Sequence, residues 1–387
     1  MARHRGDLLS GLIETRVRSL VGGYHTGMDT AGFTNLLNRP GPYATVLADV
    51  SQDSENAAHA KELRVRAACE ELSAQGAPPD VVAQVSDRLD VTVRQPAPVA
   101  RVVVATPEGV AYDQVAVAEV PKPVATWDAL PDLGSWIAAR DASMPFVLVL
   151  VDHAGGEISL WDSGMPRPTD TTTVEGDELE HVHKVRDNVG WAAYRMQQTT
   201  DNVWRHNADK VAEEVTRLIR DHGHDLVLVG GDPTSVARLR EDLAGQPVEV
   251  VELASGQRAA DGGEQARDDA IRSALLDRVV RRRTALVRRL EEAWGRGDRA
   301  ATGVRDVADA FVTGRVETLL IDPDAVAGHT LDPADHPGLT FGAAPVSGSI
   351  EASEALVAAA VLTDAEVCVL PAAVLGDAPV AALLRWS

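Results

Sequence analysis

Residues 146–161 read FVLVLVDHAGGEISLW, an apolar run followed by two glycines and a second, alternating run. The first run predicts a buried strand and the second run predicts its partner, with the turn at Gly155–Gly156. Farther along, the apolar spacing predicts a helix over residues 200–222, and the runs DLVLVGG and PVEVVEL predict two more strands. Strands that alternate with helices indicate an α/β layer structure.

The segments on either side follow a similar pattern. Before residue 140, the sequence predicts a strand, two helices and a hairpin that turns at Pro107–Gly109. After residue 259, a long helix over residues 266–294 precedes two helix–strand pairs. A length of 387 residues is typical of two to three domains. We therefore predict three α/β domains, over residues 1–140, 141–258 and 259–387.

The composition excludes several classes of protein. No apolar stretch approaches the ~20 residues of a membrane span, and the start of the chain lacks the apolar core of a secretory signal peptide. The two cysteines, Cys69 and Cys368, are far apart in sequence, which excludes a disulfide framework and a zinc–thiolate site. We expect a cytoplasmic protein without a membrane partner. The net charge of −21 argues against non-specific binding to nucleic acids, DNA included.

Two short motifs admit a chemical role beside a structural one. GGDPTS at residues 230–235 follows a strand and opens a helix, which is where phosphate-binding loops occur. It lacks the glycine pattern and the lysine of such loops, so helix capping by Asp232 is the favoured interpretation. His181 and His183, together with His153, could supply donors for a metal ion. A solvated polar loop is the favoured interpretation there, and we predict no resident metal.

Residues 183–207 form a basic and aromatic stretch in this acidic chain. They read HKVRDNVGWAAYRMQQTTDNVWRHN, with four cations and two acids. Cations interleaved with aromatic rings suit pairing with phosphates and stacking on bases. The predicted RNA-binding residues are Lys184, Arg186, Trp191, Tyr194, Arg195, Gln197, Gln198 and Arg205. The alternative is the start of a helix whose aromatic side chains belong to the core, as the spacing of Trp204 with Val211 suggests.

A second basic stretch, Arg278–Arg289, contains six arginines and no acid. On a helix it forms a basic face, which pairs either with the protein's own carboxylates or with RNA or a protein partner. The chain contains no GxSxG elbow and no nucleophilic cysteine signature.

The order of these segments resembles the archaeal and eukaryotic release factor family, which includes Pelota. FVLVLVDHAGGEISLW, a polar stretch, a loop with glutamine at its end and a helix closing with DKVAEEVTRLI resemble the central domain of that family. VRDVADAFVTGRVETLLIDP and VLTDAEVCVLPA resemble its C-terminal domain, which has the L7Ae fold. The resemblance extends to the bacterial branch, which includes the ribosome hibernation factor Balon and its actinobacterial relatives.

The resemblance implies a three-domain, release-factor-like architecture with an L7Ae-like C-terminal domain. It implies binding to the ribosomal A site and to large-subunit rRNA, with elongation factor Tu as a candidate partner and with no cofactor. A loop around Trp191–Gln198 would reach toward the peptidyl transferase centre. Catalytic release factors carry Gly-Gly-Gln at this loop tip, whereas the nearest matches here are Arg195-Met196-Gln197 and Met196-Gln197-Gln198.

We therefore expect a non-catalytic, ribosome-associated factor that occupies the A site in stress or dormancy. The stop-codon motif Asn-Ile-Lys-Ser is also absent. Two enzymatic alternatives stay open. One is a divergent peptidyl-tRNA hydrolase or rescue factor that acts through Gln197, and the other is a metal-dependent hydrolase.

Overall fold

The computed structural model describes residues 30–52, 57–93, 98–140, 144–162, 167–176, 191–254, 264–344 and 346–386, with the backbone alone for Thr30, Ala57, Glu264 and residues 191–202. The helices described are α1 (Thr30–Leu37), α2 (Ala57–Ala74), α3 (Pro79–Asp90), α4 (Gly134–Ala139), α5 (Trp191–His222), α6 (Pro233–Leu243), α7 (Glu264–Arg296), α8 (Val304–Val312), α9 (Pro323–Val326) and α10 (Ala352–Leu362). The strands described are β1 (Tyr43–Asp49), β2 (Val99–Thr106), β3 (Gly109–Val117), β4 (Val124–Asp128), β5 (Phe146–Asp152), β6 (Gly155–Trp161), β7 (Asp170–Glu175), β8 (Leu226–Gly231), β9 (Glu249–Glu252), β10 (Ala300–Thr302), β11 (Val316–Ile321), β12 (Thr330–Leu331), β13 (Ile350–Glu351), β14 (Glu366–Val369) and β15 (Val380–Leu384). The predicted α/β fold class is confirmed.

These elements form two compact units. The central unit contains the described residues of Met144–Leu276, and the terminal unit contains those of Thr26–Ser143 and Asp277–Ser387. The predicted boundaries of three domains stay a prediction. No helix in the described ranges is both long enough and apolar enough to cross a membrane.

The central unit is built on a five-stranded sheet in the order β7-β6-β5-β8-β9. Strand β5 pairs antiparallel with β6 and parallel with β8. The prediction that the β5–β6 hairpin turns at Gly155–Gly156 is wrong, because the turn is His153–Ala154 and both glycines begin β6. Their role is to admit a close neighbour, since a Cβ on Gly155 would overlap the Val174 carbonyl oxygen of β7.

Helices cover both faces of this sheet. Helices α5 and α6 pack on one face through side chains such as Val211, Val215 and Leu239. The first part of α7 packs on the other face, with Ile271 against the leucines of β5 and β8. The expectation of a loop over residues 191–198 and a helix from residue 200 is wrong, because α5 begins at Trp191. Ala, Arg, Met and Gln before residue 199 are good helix formers and extend the helix by two turns.

The terminal unit contains two larger sheets and one apolar core that they share. The antiparallel sheet β3-β2-β1-β4 carries α2 and α3 on one face. Its other face contributes to a core with residues of α8, α10, β11 and β15. Helix α10 lies deep in this core, since its side chains from Ala355 to Val361 are all buried. Segments from both ends of the described chain therefore complete one hydrophobic core.

The second sheet of the terminal unit has the order β10-β15-β11-β14. The last part of α7 covers one face of it, with Leu286 and Leu290 against Leu320 and Leu383. The predicted helix–strand pairs α8–β11 and α10–β14 are confirmed, as are α2, α3 and the hairpin β2–β3. Strands β10 and β15 were not predicted.

A buried ion pair links β2 to β3. The Arg101 guanidinium donates Nε and Nη2 to the two carboxylate oxygens of Asp113, each at 2.8 Å, and only 6% of the Arg101 side chain is exposed. Removing one member of such a pair leaves the other charge buried without a partner. The resulting loss in the free energy of unfolding is much larger than the contribution of an exposed ion pair.

We expect Asp113→Asn to lower the free energy of unfolding by roughly 3 kcal/mol, because the Arg101 charge stays buried without its partner. Glu62→Gln is the control, since its pair with Arg66 is exposed, and it should cost under ~0.5 kcal/mol. Urea unfolding curves measure both. Equal losses in the two variants would contradict the importance of the buried pair.

Glu354 is a buried carboxyl in the first turn of α10. Burial, together with the nearby carboxylates of Asp128, Asp132 and Glu351, raises the pKa of this carboxyl to about 9. Its Oε2 atom is buried and has no hydrogen-bond partner among the described residues. The folded chain therefore holds a proton that the unfolded chain releases above pH 4.5.

This proton makes stability fall as the pH rises from 4.5 toward 9, at ~1.4 kcal/mol per pH unit. Glu354→Gln has no such group, so its free energy of unfolding should exceed that of the wild type by a margin that grows with pH. Unfolding curves at pH 5, 7 and 9 measure this margin, with the exposed Glu108→Gln as the control. A margin independent of pH would refute the assignment.

Candidate functional site at the carboxyl edge of the central sheet

The carboxyl ends of four strands meet at one edge of the central sheet. Strands β8 and β9 are parallel to β5, and β7 is antiparallel to β6, which is antiparallel to β5. Strands β5, β7, β8 and β9 therefore all end at the same edge. Helix α5 is followed directly by β8, so its last residues lie at the opposite edge, where β8 begins. Its earlier residues therefore lie at the carboxyl edge, and the helix packs along the sheet between the two edges.

A buried amide holds α5 against this edge. Asn207 is 1% exposed and donates its Nδ2 to the His153 carbonyl oxygen at 2.9 Å. Gly176 follows β7 at the same place, where a Cβ would overlap the Asn207 side chain. Its backbone N–H donates to the Ala154 carbonyl oxygen at 2.7 Å. Helix α5 thus sits directly on the backbone of the two neighbouring turns.

The imidazole of His153 joins three elements at this edge. Its ring stacks on the indole of Trp204 in α5, with centroids 3.7 Å apart and planes 11° apart. Its Nε2 lies 3.5 Å from Asp232 Oδ1, and its Nδ1 lies 3.4 Å from Ser235 Oγ. The hairpin turn, α5 and the start of α6 therefore share one side chain.

Asp232 caps helix α6, as the favoured interpretation of GGDPTS predicts. Its carboxylate accepts a hydrogen bond from the Ser235 backbone N–H at 2.9 Å. Burial alone would raise the pKa of Asp232, but the hydrogen bonds from Ser235 and the nearby His153 outweigh burial and lower it. A carboxylate that already occupies the helix N-terminus leaves no room there for a phosphate.

The first thirteen of the 32 residues of α5 extend beyond the sheet. Its 32 residues span ~48 Å, whereas the seven-residue strand β5 spans ~23 Å. Among its described side chains, the buried positions begin at Asn207 and end at Ile219. Residues 191–203, which we call the arm, therefore run on for ~20 Å past the edge of the sheet.

The arm contains most of the predicted RNA-binding positions. Residues 191, 194, 195, 197 and 198 all lie on its helical backbone. Arg205 is exposed on α5, just beyond the arm. Lys184 and Arg186 lie outside the described residues, as do His181 and His183. In the described ranges, no group of three His, Cys, Asp or Glu side chains could hold a metal ion.

The sequence did not predict the contact between His153 and Trp204, which lies where the arm joins the rest of α5. Trp204 was expected in the core, but it is half-buried and stacks on His153 at the sheet edge. Trp204 and Asn207 are three residues apart, a spacing that places both on one face of a helix. That spacing is the one signal that could have connected them.

The arginine stretch of α7 pairs with carboxylates of the protein itself. Arg282 bonds Glu366 of β14, and Arg289 donates to Glu317 of β11 at 2.8 Å. Arg278, Arg281 and Arg283 also have partners within the chain. Of the two predicted explanations for this stretch, the structure supports ion pairing.

Comparisons with known proteins match this part of the chain. The model of bacterial archaeo-eukaryotic release factor family 2 matches residues 145–296, which cover the central unit and the whole of α7. This part of the chain is similar to bacterial release-factor-like proteins. The predicted resemblance to the bacterial branch of the release factor and Pelota family is thereby confirmed, and the resemblance to hibernation factors stays a prediction.

The individual proteins to which the chain is similar are distant in sequence. An uncharacterized protein of Mycobacterium tuberculosis strain H37Rv is 27% identical over 293 residues, which are 74% of this chain and 76% of the relative. A Pelota homolog of Natronomonas pharaonis is 26% identical over 155 residues, 38% of this chain and 43% of the relative. The structure of ribosome-bound archaeal Pelota with ABCE1 aligns at 14% identity and a TM-score of 0.40, over 92% of this chain and 93% of that chain.

Removal of the α6 cap should weaken this edge in a pH-dependent way. We expect Asp232→Ala to lower the free energy of unfolding at pH 7 by ~1 kcal/mol, and Asp232→Asn, which can still cap, to cost less. Because folding lowers the pKa of Asp232, the loss in Asp232→Ala should shrink as the pH falls and protonates this carboxylate. Thermal unfolding at pH 3 and pH 7 measures the stability lost in Asp232→Ala. An equal loss at both pH values would contradict the role of the charged carboxylate as the cap.

Proposed function

We propose that this protein is a ribosome-binding translation factor that occupies the A site during stress or dormancy without release chemistry. The observation that carries the proposal is the arm, a helix that extends ~20 Å past the central sheet at the place where release factors carry their catalytic loop. Its sequence combines Trp191, Tyr194 and Arg195 with two amides, which suits contact with RNA.

The helical backbone of the arm supports a role without catalysis. Gly-Gly-Gln tips depend on glycines, whose backbone reaches conformations that other residues avoid. Here Arg195, Met196 and Gln197 continue a helix that starts at Trp191. In a helix, every backbone N–H after the first four donates to the carbonyl four residues earlier. The N–H of Gln197 is therefore already used and is not free to stabilise an oxyanion.

The distribution of charge supports contact through the arm rather than through the body of the protein. The chain carries a net charge of −21, which opposes a broad approach to RNA phosphates. Arg282 and Arg289 of α7 pair with carboxylates of the chain itself, so these two charges do not offset the acidic charge for RNA. Binding then rests on shape and a few contacts at Lys184, Arg186 and the arm, and elongation factor Tu is the proposed delivering partner.

The test is co-sedimentation of the purified protein with bacterial ribosomes, with and without A-site tRNA. We expect binding of one copy per ribosome that A-site tRNA abolishes. Lys184→Glu with Arg195→Glu should weaken binding at least about tenfold, because each lost cation removes a phosphate contact and adds repulsion. The matched control is Arg217→Glu with Arg240→Glu, which changes the same charge at exposed positions away from the arm.

Two results would refute the proposal. One is no binding at moderate salt, with or without elongation factor Tu. The other is binding that A-site tRNA leaves unchanged. Equal weakening by the arm variant and by the matched control would refute the assignment of the contact to the arm.

A further inference from the structure

We propose that the stack of His153 on Trp204 is the positioning contact that keeps the arm helical and directed away from the sheet. The inference concerns the state of the free protein, and it rests on the proposed function only where ribosome binding is measured. Neither residue is among the predicted RNA-binding residues.

The arm needs such a contact because most of the stability of a helix in a protein comes from packing. Its thirteen residues, from Trp191 to Val203, continue a helix that is already nucleated on the sheet. Among the described side chains of α5, the buried positions begin only at Asn207. Backbone hydrogen bonds alone therefore do not explain why it remains a helix beyond the sheet.

The weakest part of the arm lies directly next to the stack. Residues 199–202 read TTDN, and Thr, Asp and Asn are poor helix formers because their side chains compete for backbone hydrogen bonds or lose rotamers. Such a stretch is where α5 would end if nothing held the next turn. Trp204 stands two residues beyond it, and its indole is fixed face to face on the His153 ring.

The His153 ring is itself a fixed platform. Its backbone carbonyl accepts the Asn207 amide, and the Asp152 carboxylate accepts the Ala154 N–H at 2.8 Å, which sets the turn. One edge of the ring faces Asp232 and Ser235 at the N-terminus of α6. The turn and the cap of α6 fix the His153 ring at the edge of the sheet. Because Trp204 stacks on this ring, the position of Trp204 in α5 is fixed relative to the edge as well.

The amide of Asn207 cannot replace this contact. Asn207 lies nearly one turn nearer the sheet and holds α5 where it is already packed. Among the described side chains, Trp204 makes the ring contact nearest to the arm. Loss of the stack should therefore free the arm while the packed half of α5 keeps its structure.

Hydrogen–deuterium exchange on the free, full-length protein tests this. In Trp204→Leu, amides of residues 191–202 should exchange about five- to tenfold faster than in the wild type, the factor that an aromatic pair contributes. Amides of residues 208–219 should keep their protection. Trp204→Phe retains a ring for His153 and should restore the slow exchange of the arm. Trp161→Leu is the matched control, since it removes a stack with Phe146 on the opposite face of the sheet.

Three exchange results in the variants would overturn the proposal. They are no change in Trp204→Leu, an equal gain along the whole of α5, and the same gain in Trp161→Leu. An arm that already exchanges in the wild type as fast as an unfolded peptide would overturn it as well, because the stack would then hold nothing.

Ribosome co-sedimentation of the same variants separates this proposal from the proposed function. A faster-exchanging arm with unchanged ribosome binding supports the positioning role and counts against a contact through the arm. Unchanged exchange with weakened binding overturns the positioning role and leaves the proposed function standing.

Discussion

The central unit depends on the close approach of helix α5 to the carboxyl edge of its sheet. That approach rests on one buried amide, Asn207, against a glycine, Gly176, with no room for a side chain between them. Once this contact places the helix, the apolar residues of the next four turns meet the sheet on one face. The first thirteen residues of α5 then lie beyond the edge, because the helix is about twice as long as the strands.

Elements with strong apolar patterns were predictable from the sequence. The run DLVLVGG has the composition of a buried parallel strand and became β8, between β5 and β9. The β5–β6 turn was not predictable, because two adjacent glycines are a stronger turn signal than His153–Ala154. In the structure, Gly155 instead allows the close passage of β7. A glycine needed for contact with a distant strand looks the same in sequence as a glycine needed for a turn.

The start of α5 shows the same limit. Residues 199–202, TTDN, are typical of a helix N-terminus, and the sequence predicts a start there. The chemistry of the tract, cations with aromatic rings and amides, could be predicted from the sequence, but its placement on a helix could not. The partner of Trp204 is His153, far away along the chain, and no local pattern connects them. The partners of Arg282 and Arg289 lie on later strands for the same reason.

The shared core of the terminal unit has a consequence for biosynthesis. The strands of the first sheet are synthesised together with α2 and α3, which cover one face of it. The other face packs against α8, α10 and the second sheet, which are synthesised later. The sequence of the central unit lies between these parts and is complete earlier. Since domains fold as units during synthesis, the central unit can form first and the terminal unit last. A nascent chain that stops before α10 therefore leaves one apolar face of the first sheet exposed. Chaperones and proteases bind such exposed apolar surfaces, so an incomplete chain of this protein is open to degradation whereas the complete chain is not.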